Sequence, residues 1–172
     1  MGTLGHPRNA SGGTAFGTSH GAVPVGSTVY TSTGVPIGVV VCSAFTPNSG
    51  IDVSYIRMNN NITVSRIIPG TSINITNFFA PTQSNMTNHF VVAHTSRSGN
   101  VSGSITSHSQ NVNLGGHLYR NMIITNMTLQ GGDSGSALTA TIGGARVLGT
   151  LAGGSSGWQA FSPAPAYQHI GN

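Results

Sequence analysis

Apolar and polar residues alternate over short distances along this chain, and nowhere does the 3.6-residue apolar period of an amphipathic helix persist. The β-branched residues gather in short runs punctuated by Gly, Asn, Pro and Ser. In the first half the pattern predicts strands over 13–17, 27–31, 36–42, 51–58 and 63–68, with Pro47-Asn-Ser-Gly50 and Asn59-Asn-Asn61 as turns. The second half predicts strands over 90–95, 101–107, 122–127, 136–141, 146–153 and 158–161, and Gly143-Gly144 reads as a two-residue hairpin turn. Residues 1–11 read as a loose arm. The Asn/Thr/Pro-rich stretch 69–87, around Phe78-Phe79, reads as the connection between halves, part strand and part linker. One short helix is expected over 163–170, with Ser162 as its N-cap and Gly171 as its stop. Many short strands with Gly-rich turns argue an all-β barrel or sandwich.

Composition narrows the function classes. A chain of 172 residues holds one domain with a real core, or two small barrels packed together. Its six arginines stand singly, with no basic run and no interleaved aromatics, so the formal charge of +4 does not make a nucleic-acid face. No segment approaches the ~18 apolar residues of a membrane helix, and Met1-Gly-Thr-Leu-Gly-His-Pro7 lacks the plan of a signal peptide. Six Asn-X-Ser/Thr sequons, at Asn9, Asn61, Asn74, Asn85, Asn100 and Asn126, lean toward a secreted glycoprotein. Cys42 is the single cysteine, which leaves no disulfide within the chain.

The chemistry concentrates in Gln130-Gly131-Gly132-Asp133-Ser134-Gly135-Ser136. A serine hydroxyl is a poor nucleophile in water; an enzyme that uses it needs a base for its proton and N–H groups aimed at the oxyanion. Glycines around the serine permit a tight turn and let a carbonyl approach the main chain. The chain has only two acidic residues, Asp52 and Asp133, and one of them directly precedes this serine. A plain Gly-Ser turn is the alternative, in a chain with 25 glycines.

Gly132-Asp133-Ser134-Gly135 resembles the nucleophile motif of chymotrypsin-like serine proteases. Asn121-Met-Ile-Ile-Thr-Asn126 and Val147-Leu-Gly-Thr-Leu-Ala-Gly-Gly154 resemble the strands that bracket that motif. Ser96-Arg-Ser-Gly-Asn-Val-Ser-Gly103 resembles a Cys-Arg-Ser-Gly stretch of the small secreted α-lytic protease/streptogrisin subgroup. The resemblance covers most of the chain from Gly12 onward, strongly in the second half and weakly in the first. It implies two antiparallel six-stranded β-barrels within one protease domain, the first over 12–80 and the second over 88–162, closed by a short C-terminal helix.

Roles follow residue by residue. Thr18-Ser19-His20-Gly21 resembles the segment that ends in the catalytic histidine, and the chain order His20, Asp52, Ser134 matches the family's. His6 and His169 read as plain surface. With Asp133 beside the serine, Asp52 remains to orient the imidazole; an Asx turn after Gly50 is its other reading. The oxyanion hole is expected from the N–H groups of Gly132 and Ser134. The resemblance also implies that Asp133 is buried and paired with Arg97 as structural support. Ala152-Gly153-Gly154 resembles the edge that takes a peptide substrate as an added strand, and Thr128 the floor of the primary pocket. Ala152 departs from the family, which has a serine there that helps hold the aspartate. The absence of an acid near Thr128 points to an uncharged residue before the scissile bond.

The expected function is a secreted, monomeric serine endopeptidase acting on polypeptide, with no metal or cofactor and no nucleic-acid or membrane partner. The alternative is a weakly active or inactive relative serving as an extracellular binding glycoprotein.

Overall fold

The computed structural model describes the chain outside residues 1–3, 11–12, 19–22, 45–47, 49–50, 63–64, 68–70, 79–85, 142–143 and 168–172. Nearly all of the described chain is β-structure, in two sheets. The first sheet is built from β1 (Leu4–Ala10), β2 (Gly13–Thr18), β3 (Thr28–Tyr30), β4 (Pro36–Ser43) and β5 (Ser54–Met58). Its order is β1-β2-β5-β4-β3, all antiparallel, so β5 lies in the middle. Five strands stand here among the described residues, where the reading expected six.

The N-terminal stretch is not a loose arm: Leu4–Ala10 forms a hairpin with Gly13–Thr18, with Arg8 opposite Ala15 and Ala10 opposite Gly13. A strand partner satisfies main-chain N–H and C=O groups whatever the side chains are, so a polar segment leaves no apolar alternation to find. The expected strand over 63–68 is reduced to one bridge, Ile67 opposite Asn74, among the described residues.

The second sheet contains β6 (Ile75–Phe78), β7 (Phe90–His94), β8 (Asn100–Leu114), β9 (His117–Thr125), β10 (Ala137–Thr141), β11 (Ala145–Ser155) and β12 (Trp158–Pro163). Strand order is β10-β7-β8-β9-β12-β11, and β10 also pairs with β11, which closes these strands into a barrel with no free edge between them. β6 runs parallel to β11 on the outside of this ring, although it precedes residue 80 and was expected with the first barrel. The β8–β9 hairpin extends well past the expected strand ends. Its middle is polar on both faces, so alternation fades there, while Gly115 and Gly116 take φ +59 and +84 and make the turn that reverses the ribbon. Of the expected C-terminal helix, the described residues form one turn, α1 (Ala164–Tyr167).

Val91, Ala93, Ile105, Ile123, Met127, Leu138, Leu148 and Phe161 fill the closed barrel. A second cluster joins the two sheets: Val53 and Tyr55 of the first half pack with Val147 of β11 and Ala164 of α1. Residues 51–53, and Asp52 with them, enter β5 across this seam.

Candidate active site

The turn at 131–136 is shaped by two glycines that a side chain would strain. Gly132 has φ +99 and Gly135 φ +98, on either side of the Asp133-Ser134 pair. Main-chain bonds stitch the turn to β11: Gly135 N–H donates to the Leu151 carbonyl at 3.1 Å, and Leu151 N–H donates to the Ser136 carbonyl at 2.9 Å. Asp133 N–H closes back on the Gln130 carbonyl at 3.1 Å. The Ser136 hydroxyl donates to the Asp133 carbonyl at 2.5 Å. Ser134 sits half-buried at the crest, its neighbours fixed on both sides.

Asp133 is fully buried and points inward. Its Oδ1 accepts the N–H groups of Arg97 and Ser98, each at 3.2 Å. Its Oδ2 accepts the Ser98 hydroxyl at 2.5 Å and the Gln130 N–H at 3.0 Å. Burial pushes the carboxyl up, but the bonds from Ser98, Gln130 and Thr95 outweigh it and hold the group below its ordinary value. The pairing implied by the resemblance is therefore corrected. Arg97 reaches Asp133 through its backbone N–H, while its guanidinium Nη1 donates to the Gly131 carbonyl at 2.9 Å. A carboxylate that already collects four donors is satisfied without a counter-charge. Sequence reasoning missed Ser98, whose only signal was a short hydroxyl residue inside the Arg-Ser-Gly motif.

Asp52 is also buried, at 1% exposure, just ahead of β5. Its N–H donates to Ser162 Oγ on β12 at 3.0 Å, so a residue of the second barrel fixes the backbone of the first at this point. Ser162, read from the sequence as a helix cap, lies within β12 and its hydroxyl takes this bond from Asp52. Tyr119 lies within range of the Asp52 charge. Burial first, and that charge second, push its phenol up to about 12. Ala152 packs in one buried cluster with Tyr119, Met122 and Ala160. His20, the expected base, lies outside the described residues.

Residues 152–155 pair with β12 on one side only; no described strand runs along their other edge. A Cβ on Gly154 would run into the Trp158 carbonyl and the Gln159 side chain, whereas one on Gly153 would have space, with Leu114 Cδ1 at 3.7 Å. Thr128 is exposed, and its Oγ1 accepts the Gly157 N–H at 3.2 Å, which ties the segment between β9 and the 131–136 turn to the β11–β12 hairpin. The turn that carries Ser134 is thus tied to Leu151 of β11 and to Arg97, and Asp52 is tied to β12, the neighbour of β11.

Comparison with solved structures identifies the architecture. Protease A of Thermobifida fusca superposes with a TM-score of 0.81, covering 99% of this chain and 89% of its own, at 22% identity. A chymotrypsin of Cellulomonas bogoriensis superposes with a TM-score of 0.76, covering 98% and 87%, at 23% identity. A glutamic acid-specific serine protease that uses a histidine triad in substrate binding gives 0.80, covering 95% and 87%, at 21% identity. No family model and no curated protein sequence matches the chain.

Proposed function

Starting from the chymotrypsin-like double-barrel fold, which this chain has, we propose that the protein is a serine-type endopeptidase with Ser134 as nucleophile. The observation that carries this reading is the 131–136 turn. An inward-tied aspartate and two positive-φ glycines hold a half-buried serine beside a strand whose far edge no described strand pairs.

In this reading Ser134 Oγ attacks the scissile carbonyl and its proton passes to Nε2 of His20. Asp52 accepts a bond from Nδ1–H, which selects the tautomer and stabilises the imidazolium. The tetrahedral oxyanion is received by the N–H groups of Gly132 and Ser134. Collapse expels the amine, which takes the proton from His20. A water then hydrolyses the acyl-enzyme by the same route in reverse. The substrate backbone adds along 152–154 as a strand, and an uncharged side chain enters the pocket that ends at Thr128. The protein works as a secreted monomer, the sequons being the reason to place it outside the cell.

Ala152 favours a second reading, a weakly active relative that binds polypeptide without turning it over, because its methyl offers Asp52 no hydrogen bond. A fluorophosphonate probe separates the two, since only an activated serine reacts with it. Labelling is expected in the wild type and not in Ser134→Ala or His20→Ala. Hydrolysis of peptides with an uncharged residue before the scissile bond should rise with pH as the His20 imidazole gives up its proton. A wild type that takes no label and cleaves no peptide would leave only the binding role.

A further inference from the structure

The Arg97 guanidinium holds the peptide group whose other end is the Gly132 N–H. Residues 131 and 132 are joined by a trans peptide, as no cis bond occurs among the described residues. In a trans peptide the carbonyl and the N–H point in opposite directions within one rigid plane. Arg97 Nη1 donates to the Gly131 carbonyl at 2.9 Å, which fixes one end of that plane and so aims the other. The Arg97 side chain lies along the same group: a Cβ built on Gly132 would stand 3.8 Å from its Cδ and 3.9 Å from its Nη1.

Two glycines flank this plane, so the local backbone does little to prevent its rotation. With φ +99 at Gly132, the observed orientation is not one that side-chain sterics select. A charge-assisted bond to the carbonyl supplies that selection, and it also draws electron density toward the oxygen, leaving the N–H a better donor. Arg97 is anchored for this task, since its own N–H and that of Ser98 are tied to Asp133 Oδ1 at 3.2 Å.

We infer that Arg97 is a positioning residue for the oxyanion hole, acting through the Gly131 carbonyl to orient and polarise the Gly132 N–H. This rests on the endopeptidase reading for its catalytic consequence, but not for the orientation of the peptide itself.

The test compares wild type, Arg97→Ala, Arg97→Lys and, as a control, Arg120→Ala, an exposed arginine of β9. Arg97→Ala should lower kcat at least about tenfold, less than the ~10²–10³ lost when an oxyanion donor is removed outright. KM and Tm should stay near wild type. Methylguanidinium added to Arg97→Ala should restore part of kcat, and Arg97→Lys should retain more activity than Arg97→Ala. In protein labelled with ¹⁵N-glycine, the Gly132 amide resonance should move in Arg97→Ala while that of Gly157 stays in place. An unchanged kcat, or a kcat that falls together with Tm and is not rescued, would overturn the inference, as would a Gly132 resonance that does not move. A wild type that fails to react with fluorophosphonate would defeat the endopeptidase reading separately, and the Gly132 resonance would still decide whether Arg97 orients the peptide.

Discussion

Asp133 shows how a single side chain sets a turn. Its carboxylate collects bonds from Arg97, Ser98 and Gln130, with Thr95 adding to them, so removing any one donor loosens the base of the 131–136 turn. Because its folded-state pKa is depressed, its stabilising effect is present in full above the ordinary carboxylate value of ~3.9. That effect is lost as pH falls through the lower, folded-state value. Asp133→Asn should therefore show a lower Tm at pH 7 and a flatter decline of Tm between pH 5 and pH 2. An acid limb as steep as the wild type's would show that other groups govern acid unfolding. Ser98→Ala removes one charge-assisted bond and should cost about 1.5–3 kcal/mol in urea unfolding. The importance of Asp133 was legible in the sequence from its scarcity and place. Its actual partners were not, because the N–H groups of Arg97, Ser98 and Gln130 are main-chain donors that no residue identity announces.

Among the elements, β11 does the most to assemble the site, pairing with β10 and β12 and receiving the nucleophile turn at Leu151. Gly149 lies tight against β12: a Cβ there would meet the Ser162 carbonyl at 2.5 Å and Phe161 Cβ at 3.3 Å. Gly149→Ala should force β12 outward and cost more than about 2 kcal/mol, measured as a drop in the urea midpoint. It should also reduce activity, since Ser162 moves with the strand and takes its contact with Asp52 along. If Gly149→Ala unfolds like wild type, the close approach is not a constraint. At β7 and β10, His94 bridges Asn100 and Thr139 at 2.9 and 2.8 Å, and burial holds its imidazole below the ordinary value. A histidine kept neutral in the fold destabilises it as pH drops below ~6.5, where the unfolded chain takes up the proton first. His94→Gln should therefore weaken the loss of stability between pH 7 and pH 5, followed by Tm. A loss as large as the wild type's would show that His94 does not cause it. Most of these strands were legible from β-branched runs and turn residues. The β8–β9 extension and β1 were not, because main-chain pairing is open to any residue and these stretches lack a sustained apolar alternation.

For the whole molecule, the seam between the sheets sets where Asp52 sits against the second sheet. Asp52 N–H reaches Ser162 Oγ across it, with Val53, Tyr55, Val147 and Ala164 packed alongside. Ser162→Ala leaves a buried N–H without this acceptor and should cost about 1–3 kcal/mol. If the endopeptidase reading holds, kcat should fall more than KM changes, since Asp52 orients the base and does not bind substrate. Equal stability in the two proteins would show that the bond across the seam carries no weight. By itself the sequence determined the all-β class, through strand propensity and glycine turns, and singled out Asp52 and Asp133 by the near-absence of acids; the candidate trio His20, Asp52 and Ser134 is what the motif resemblance implies. Tertiary structure alone decided that β10 also pairs with β7 and so closes the ring, that β6 joins the second sheet, that Ser162 holds the Asp52 backbone, and that the Arg97 guanidinium serves the Gly131 carbonyl while only its backbone N–H reaches the Asp133 carboxylate. Those outcomes depend on hydrogen bonds between groups far apart in the chain, many of them main-chain groups present in every residue, and only the folded geometry chooses among them.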